Sequence, residues 1–165
     1  MQPMRRLESY SKWQVQLFCI LLLAGIITTC STGTRSSSFS GPLRLSVHLP
    51  DGTIITAETA TTPQQQARGL MFRKNLDHNH GMLFIFSDQT PRGFWMYNTL
   101  IPLDIIWIDK DRRIVFISEN TPPCPSQNPT ECPNYGVGIP AQYVLELAAG
   151  QAMEHNLKVG EQLNF

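Results

Sequence analysis

A chain of 165 residues, with 13 basic and 13 acidic side chains, suits one domain plus whatever occupies its N-terminus. Only 16% of residues are charged and the formal net charge is zero, so nothing resembles the basic stripe that holds a phosphate backbone. Binding by bulk charge is excluded, and no nucleic-acid partner is expected.

At the N-terminus, Arg5, Arg6 and Lys12 precede an apolar run from Leu17 to Ile27, which leads into Thr28, Thr29 and Cys30. The order of positive charge, apolar core and small residues reads as a secretory signal over residues 1–30. The core is shorter than the roughly 20 residues that span a bilayer. An uncleaved anchor from Trp13 to Thr29 is the alternative, where the membrane thins locally. Ile27–Cys30 also resembles a bacterial lipobox, which implies lipid attachment at Cys30, although Thr29 departs from the usual Gly, Ala or Ser. Without Arg5, Arg6, Lys12 and Glu8, 10 basic and 12 acidic residues remain, so the mature domain is mildly acidic.

Residues 31–42 follow as a Ser/Thr/Gly tether, too polar to pack. The single domain then runs over 43–165. Leu43, Leu45, Val47 and Leu49 alternate with Arg44, Ser46 and His48, the pattern of a half-buried strand. Pro50-Asp51-Gly52 is a turn, and residues 53–59 return as a second strand. A short helix follows, capped by Thr62, with Pro63 at its first position and Gly69 at its end. Residues 81–86 and 103–109 are apolar on both faces, as strands buried on both sides are. A hairpin joins 103–109 to 113–117 through Lys110-Asp111, and 143–147 forms a further strand. A helical turn is expected near Gly150–Leu157, before a closing Gln162–Phe165. The result is a mainly β fold, a sandwich or jelly-roll-like, partly open barrel with one or two short helices.

Five blocks occur in order: 68–73 (RGLMFR), 81–86 (GMLFIF), 94–109 (FWMYNTLIPLDIIWID), Pro123-Cys124, and 143–150 (YVLELAAG). Together they closely resemble the domain of unknown function 192 family. That resemblance covers roughly 44–165 and implies a mainly β, jelly-roll-like domain, often exported. It implies no reaction, ligand or cofactor.

The block at 94–109 carries the candidate site. Read as a strand, it turns Phe94, Met96 and Asn98 one way and Trp95, Tyr97 and Thr99 the other. Beyond Ile101-Pro102, Asp104 shares a face with Ile106 and Ile108, where a carboxylate needs hydrogen bonds or a cation. Arg68, at the end of the helix, is the expected partner. Asn98 and the amides of the 99–103 turn are the other candidates. Phe94, Trp95 and Met96 would wall a pocket anchored by Asp104, Arg68 and Asn98, an apolar lining with few polar groups. The same residues also read as a purely structural knot. Glu146 shares a face with Val144, with Leu145 and Leu147 turned to the core. It is either an exposed strand carboxylate or a second anchor near Arg68.

His78, His80 and Met82 have the spacing of a soft-metal site, but three donors within five residues seldom close one, and the stretch also reads as a polar loop. No metal and no cofactor is assigned. After Cys30 only Cys124 and Cys132 remain; two cysteines in an exported domain are expected to pair. Three function classes stay open. The leading one is an exported cell-envelope binding or accessory module for a small ligand or peptide, with a small ligand or envelope protein as partner and membrane attachment through Cys30 or the apolar segment. The second is a hydrolase-like enzyme using Asp104 and Glu146 with Arg68. The third is a structural or interaction domain.

Overall fold

The computed structural model describes residues 41–165. The signal, Cys30 and most of the tether lie outside the described residues. Within them the chain is mainly β, as its alternation predicts. Strands β1 (Arg44–His48) and β2 (Ile54–Ala60) form the first hairpin around Asp51, whose carboxylate accepts from Thr53 N–H at 2.8 Å. Helix α1 (Pro63–Arg68) then starts and stops where the sequence signals it. Thr62 and Gln65 form a reciprocal capping box, Pro63 enters at the first turn, and the chain turns at Gly69 with φ 46°.

The long β3 (His80–Pro91) is followed by the short β4 (Phe94–Trp95), then β5 (Leu103–Ile108) and β6 (Ile114–Thr121). A 3-10 turn at Pro129–Glu131 precedes β7 (Asn134–Tyr135), β8 (Pro140–Ala148) and the single-turn helix α2 (Gln151–Glu154). Six strands make one mixed sheet in the order β1-β2-β3-β8-β5-β6. Only the β2–β3 pair is parallel, because α1 and the loop after it carry the chain across. β4 and β7 form a separate two-stranded ribbon.

The sheet is apolar on both faces. Val47, Ile55, Leu83, Ile106, Ile108, Leu145 and Leu147 pack on one face with Ala152, Leu157 and Leu163 of the C-terminal segment. Phe84, Leu103, Ile105, Trp107 and Val144 pack on the other with Leu70 and Met96 from the long connections. Every residue of β5 is buried, as an unbroken apolar run predicts. The β5–β6 hairpin forms, but its turn is longer than Lys110-Asp111. Asp109 accepts from the amides of Asp111 and Arg113, and Arg112 takes φ 62°.

Cys124 and Cys132 are disulfide-bonded with Cα atoms 5.5 Å apart, as two cysteines in this setting predict. Cys124 N–H donates to Met96 O at 3.2 Å, and β7 begins two residues after Cys132. The bridge thus ties both ends of a proline-rich loop beside β4.

Candidate functional site

Asp104 is fully buried, as its apolar strand face requires, but its partners differ from those expected. Asn120 N–H donates to its Oδ1 at 2.7 Å and Ala152 N–H donates to its Oδ2 at 2.7 Å. Neither Arg68 nor the 99–103 amides take part. The cause is a bulge. Leu103 pairs with Thr121 and Ile105 with Ser118, so β6 has one extra residue opposite Asp104, and Asn120 turns there with φ 48°. The carboxylate satisfies the amide freed by that bulge and one from α2, so Asp104 is a structural pin.

Glu146 is the finding the sequence left open. Ile105 pairs with Glu146 and Asp104 with Leu147. Directly opposed residues share a face and neighbours alternate, so Asp104 and Glu146 lie on opposite sides of one sheet. The two-carboxylate arrangement of the hydrolase reading is therefore not formed. Nor is Glu146 an exposed strand residue: its face is roofed by α1 and the loop after it, leaving it 5% exposed. It stands in a row between Met82 on β3 and Ile105 on β5. Among the described residues its Oε2 has no hydrogen-bond partner. Burial pushes its carboxyl up to about 8, so the group holds its proton at neutral pH. Glu58, two strands away, is the contrast: it is half-buried, and Arg73 pairs with both its oxygens.

The Glu146 carboxyl opens into a cavity of about 380 Å³. Gly69 passes directly over it. A Cβ at Gly69 would lie 3.2 Å from the Phe84 ring and 3.8 Å from Glu146 Oε2, and the positive φ favours glycine in any case. Phe84, Phe86, Phe94 and Trp95 supply the aromatic wall, with Gln66, Thr99, Arg68 and Arg92 as polar members beside Glu146. Phe84 and Phe94 meet edge to face at 4.9 Å. The Arg92 guanidinium lies 4.0 Å over the Phe86 ring and bonds Asp88 at the rim, while its Nε is buried with no partner among the described residues. Arg68 is exposed and forms no ion pair among the described residues.

Of the seven ligand candidates, Arg68, Phe94, Trp95 and Glu146 therefore share one cavity, and Met96, Asn98 and Asp104 stand outside its lining. Only Phe94 and Trp95 are strand. Thr99 N–H returns to Met96 O, so the alternation fails there and Met96 drops into the core. Asn98 takes φ 54° in that turn, and its carbonyl accepts from Phe72 N–H at 2.8 Å. Sequence reasoning missed Phe84, Phe86, Thr99 and Arg92. The shared face of Phe84 and Phe86 with Met82 was a usable signal; Arg92 offered none.

Among the described residues no helix is long and apolar enough to cross a membrane. No curated protein matches the chain. A crystal structure of a protein of unknown function from Novosphingobium aromaticivorans is similar, with 33% identity, a TM-score of 0.67, and coverage of 78% of this chain and 89% of that one. A second, from Sinorhizobium meliloti and described as a "putative transcription regulator", has 35% identity and a TM-score of 0.61, over 73% of this chain and 91% of that one. The family model DUF192, described as "Uncharacterized ACR, COG1430", matches residues 46–165, and the chain belongs to that family.

Proposed function

We propose that the domain is an exported binding module for a small anionic ligand, a carboxylate on an apolar or aromatic body. The observation that carries this reading is the buried Glu146 carboxyl at a cavity of about 380 Å³, its Oε2 without a hydrogen-bond partner among the described residues and its pKa pushed up by burial. Burying a carboxyl without a hydrogen bond costs stability, and titratable groups perturbed in this way cluster at functional sites. A protonated carboxyl donates to a ligand carboxylate, Arg92 and Arg68 supply positive charge, and the aromatic wall takes the apolar body. A cationic ligand would face two guanidinium groups. Catalysis is the weaker reading. Among the described residues no second carboxylate, histidine, serine or cysteine joins Glu146 in the lining. The mildly acidic mature chain also argues against nucleic acid as the ligand.

A thermal-shift series at pH 6.5, with aromatic and aliphatic carboxylates, the matching amines and neutral sugars, tests the reading. Carboxylates should stabilise the wild type, and Arg68→Ala, at an exposed position, should weaken that binding at least tenfold. No stabilising carboxylate, or a hit indifferent to both Arg68→Ala and Glu146→Gln, would sink the proposal.

Export is supported by the disulfide, which persists in oxidising compartments. Mass spectrometry of the protein from its native cells, under non-reducing conditions, should find no free thiol at Cys124 or Cys132 and a mature terminus near Cys30. An intact Met1 or two titratable thiols would contradict it.

A further inference from the structure

On the sheet face opposite the Glu146 cavity, α2 ends beside the loop that leads into β3. We propose that His78, Glu154 and His155 form a binding site for one divalent transition cation, with zinc as the fitting ion. One donor atom from each of the three lies within 4.8 Å of the others. Tetrahedral zinc with bonds of roughly 2.1 Å needs ligand atoms about 3.4 Å apart. His78 and Glu154 already meet, with Nε2 at 3.1 and 3.0 Å from the two carboxylate oxygens. Both side chains are more than half exposed, at 58% and 52%, so they can close on an ion by rotation.

The independent observation is His155. It is only 8% exposed, and its Nε2 is buried with no hydrogen-bond partner among the described residues. A buried ring nitrogen left unpaired costs stability. The other nitrogen, Nδ1, lies 2.9 Å from Asp51 Oδ2. Asp51 is itself fixed by the β1–β2 turn, where its Oδ1 accepts from Thr53 N–H. A carboxylate that accepts a hydrogen bond from Nδ1–H leaves Nε2 as a lone-pair donor and fixes the ring, the usual support for a metal-bound imidazole. The His78 and His155 rings stand edge to face, 6.1 Å apart between centres. Two imidazoles and one carboxylate suit zinc and leave one coordination position for water or a partner's group. Any proton on His78 leaves to solvent when the ion binds.

This set differs from the His78, His80, Met82 spacing in the sequence. His80 turns its Nδ1 to the His78 carbonyl, and Met82 is buried on the other face beside Glu146.

The test is calorimetric titration and equilibrium dialysis of the full chain, without a polyhistidine tag, against zinc chloride. One zinc per chain is expected. His78→Ala and Glu154→Ala, both at exposed positions, should each weaken binding at least tenfold, and His80→Ala should retain it. Cobalt substitution should give the intense visible bands of a four-coordinate site. No uptake, uptake unaffected by both His78→Ala and Glu154→Ala, or loss in His80→Ala would overturn the proposal.

Discussion

Between pH 4.5 and 8 the wild-type domain is expected to lose roughly 4–5 kcal/mol of stability relative to Glu146→Gln. Glu146 keeps its proton in the folded state up to about pH 8, whereas in the unfolded chain it releases it near the ordinary value of 4.5. In that window the unfolded state binds fewer protons. Rising pH therefore favours unfolding, by about 1.4 kcal/mol per pH unit. Below 4.5 both states hold the proton, and above 8 both have lost it, so the contribution is level at either end. Glutamine is close in shape and does not titrate, so the difference between the two stability curves isolates this one group from every other that titrates. Denaturant unfolding of both proteins at intervals from pH 4 to 9 is the measurement. Parallel curves would show that Glu146 is not held neutral, and would remove the hydrogen-bond donor from the proposed ligand site. Carboxylate binding should also weaken as pH passes 8, when an anion replaces the donor at the cavity.

Asp104→Ala is expected to cost about 2–4 kcal/mol, because it orphans the buried Ala152 amide, at roughly 1–3 kcal/mol, and the part-buried Asn120 amide, which water reaches, at less. Asn120 N–H would lose its acceptor at the β6 bulge and Ala152 N–H its acceptor at the start of α2. Asp104→Asn keeps one acceptor but turns an amide N–H toward the second donor, so about 1–3 kcal/mol is expected. Denaturant midpoints give both values. Carboxylate binding by the surviving folded fraction should be unchanged, since the Glu146 cavity lies across the sheet. A stability loss below 1 kcal/mol, or selective loss of ligand with the fold intact, would return Asp104 to the binding site.

The local signals of this fold are legible in the sequence. Thr62, Pro63 and Gly69 bound α1 because capping, proline geometry and positive φ act within a few residues. β5 was legible because two-sided burial leaves an unbroken apolar run. The candidate site was half legible. Phe94, Trp95, Arg68 and Glu146 line one cavity, while Met96 and Asn98 stand outside it, because strand alternation ends at a turn that begins at Met96.

What the sequence by itself determined was the mainly β class, the helix and its ends, the family, and the burial of Asp104. These follow from periodicity, turn chemistry and the cost of a free carboxylate among isoleucines. Only the tertiary structure decided which partner each acid meets. β8 inserts between β3 and β5, and that register puts Glu146 and Asp104 on opposite faces. The bulge on β6 and the return of α2 bring Asn120 and Ala152 to Asp104, while the chain after α1 roofs Glu146 without giving it a hydrogen bond. Strand order and register arise from contacts between residues tens of positions apart. No local pattern encodes them, and a one-residue change of register in β8 would turn each of its side chains, Glu146 included, to the opposite face.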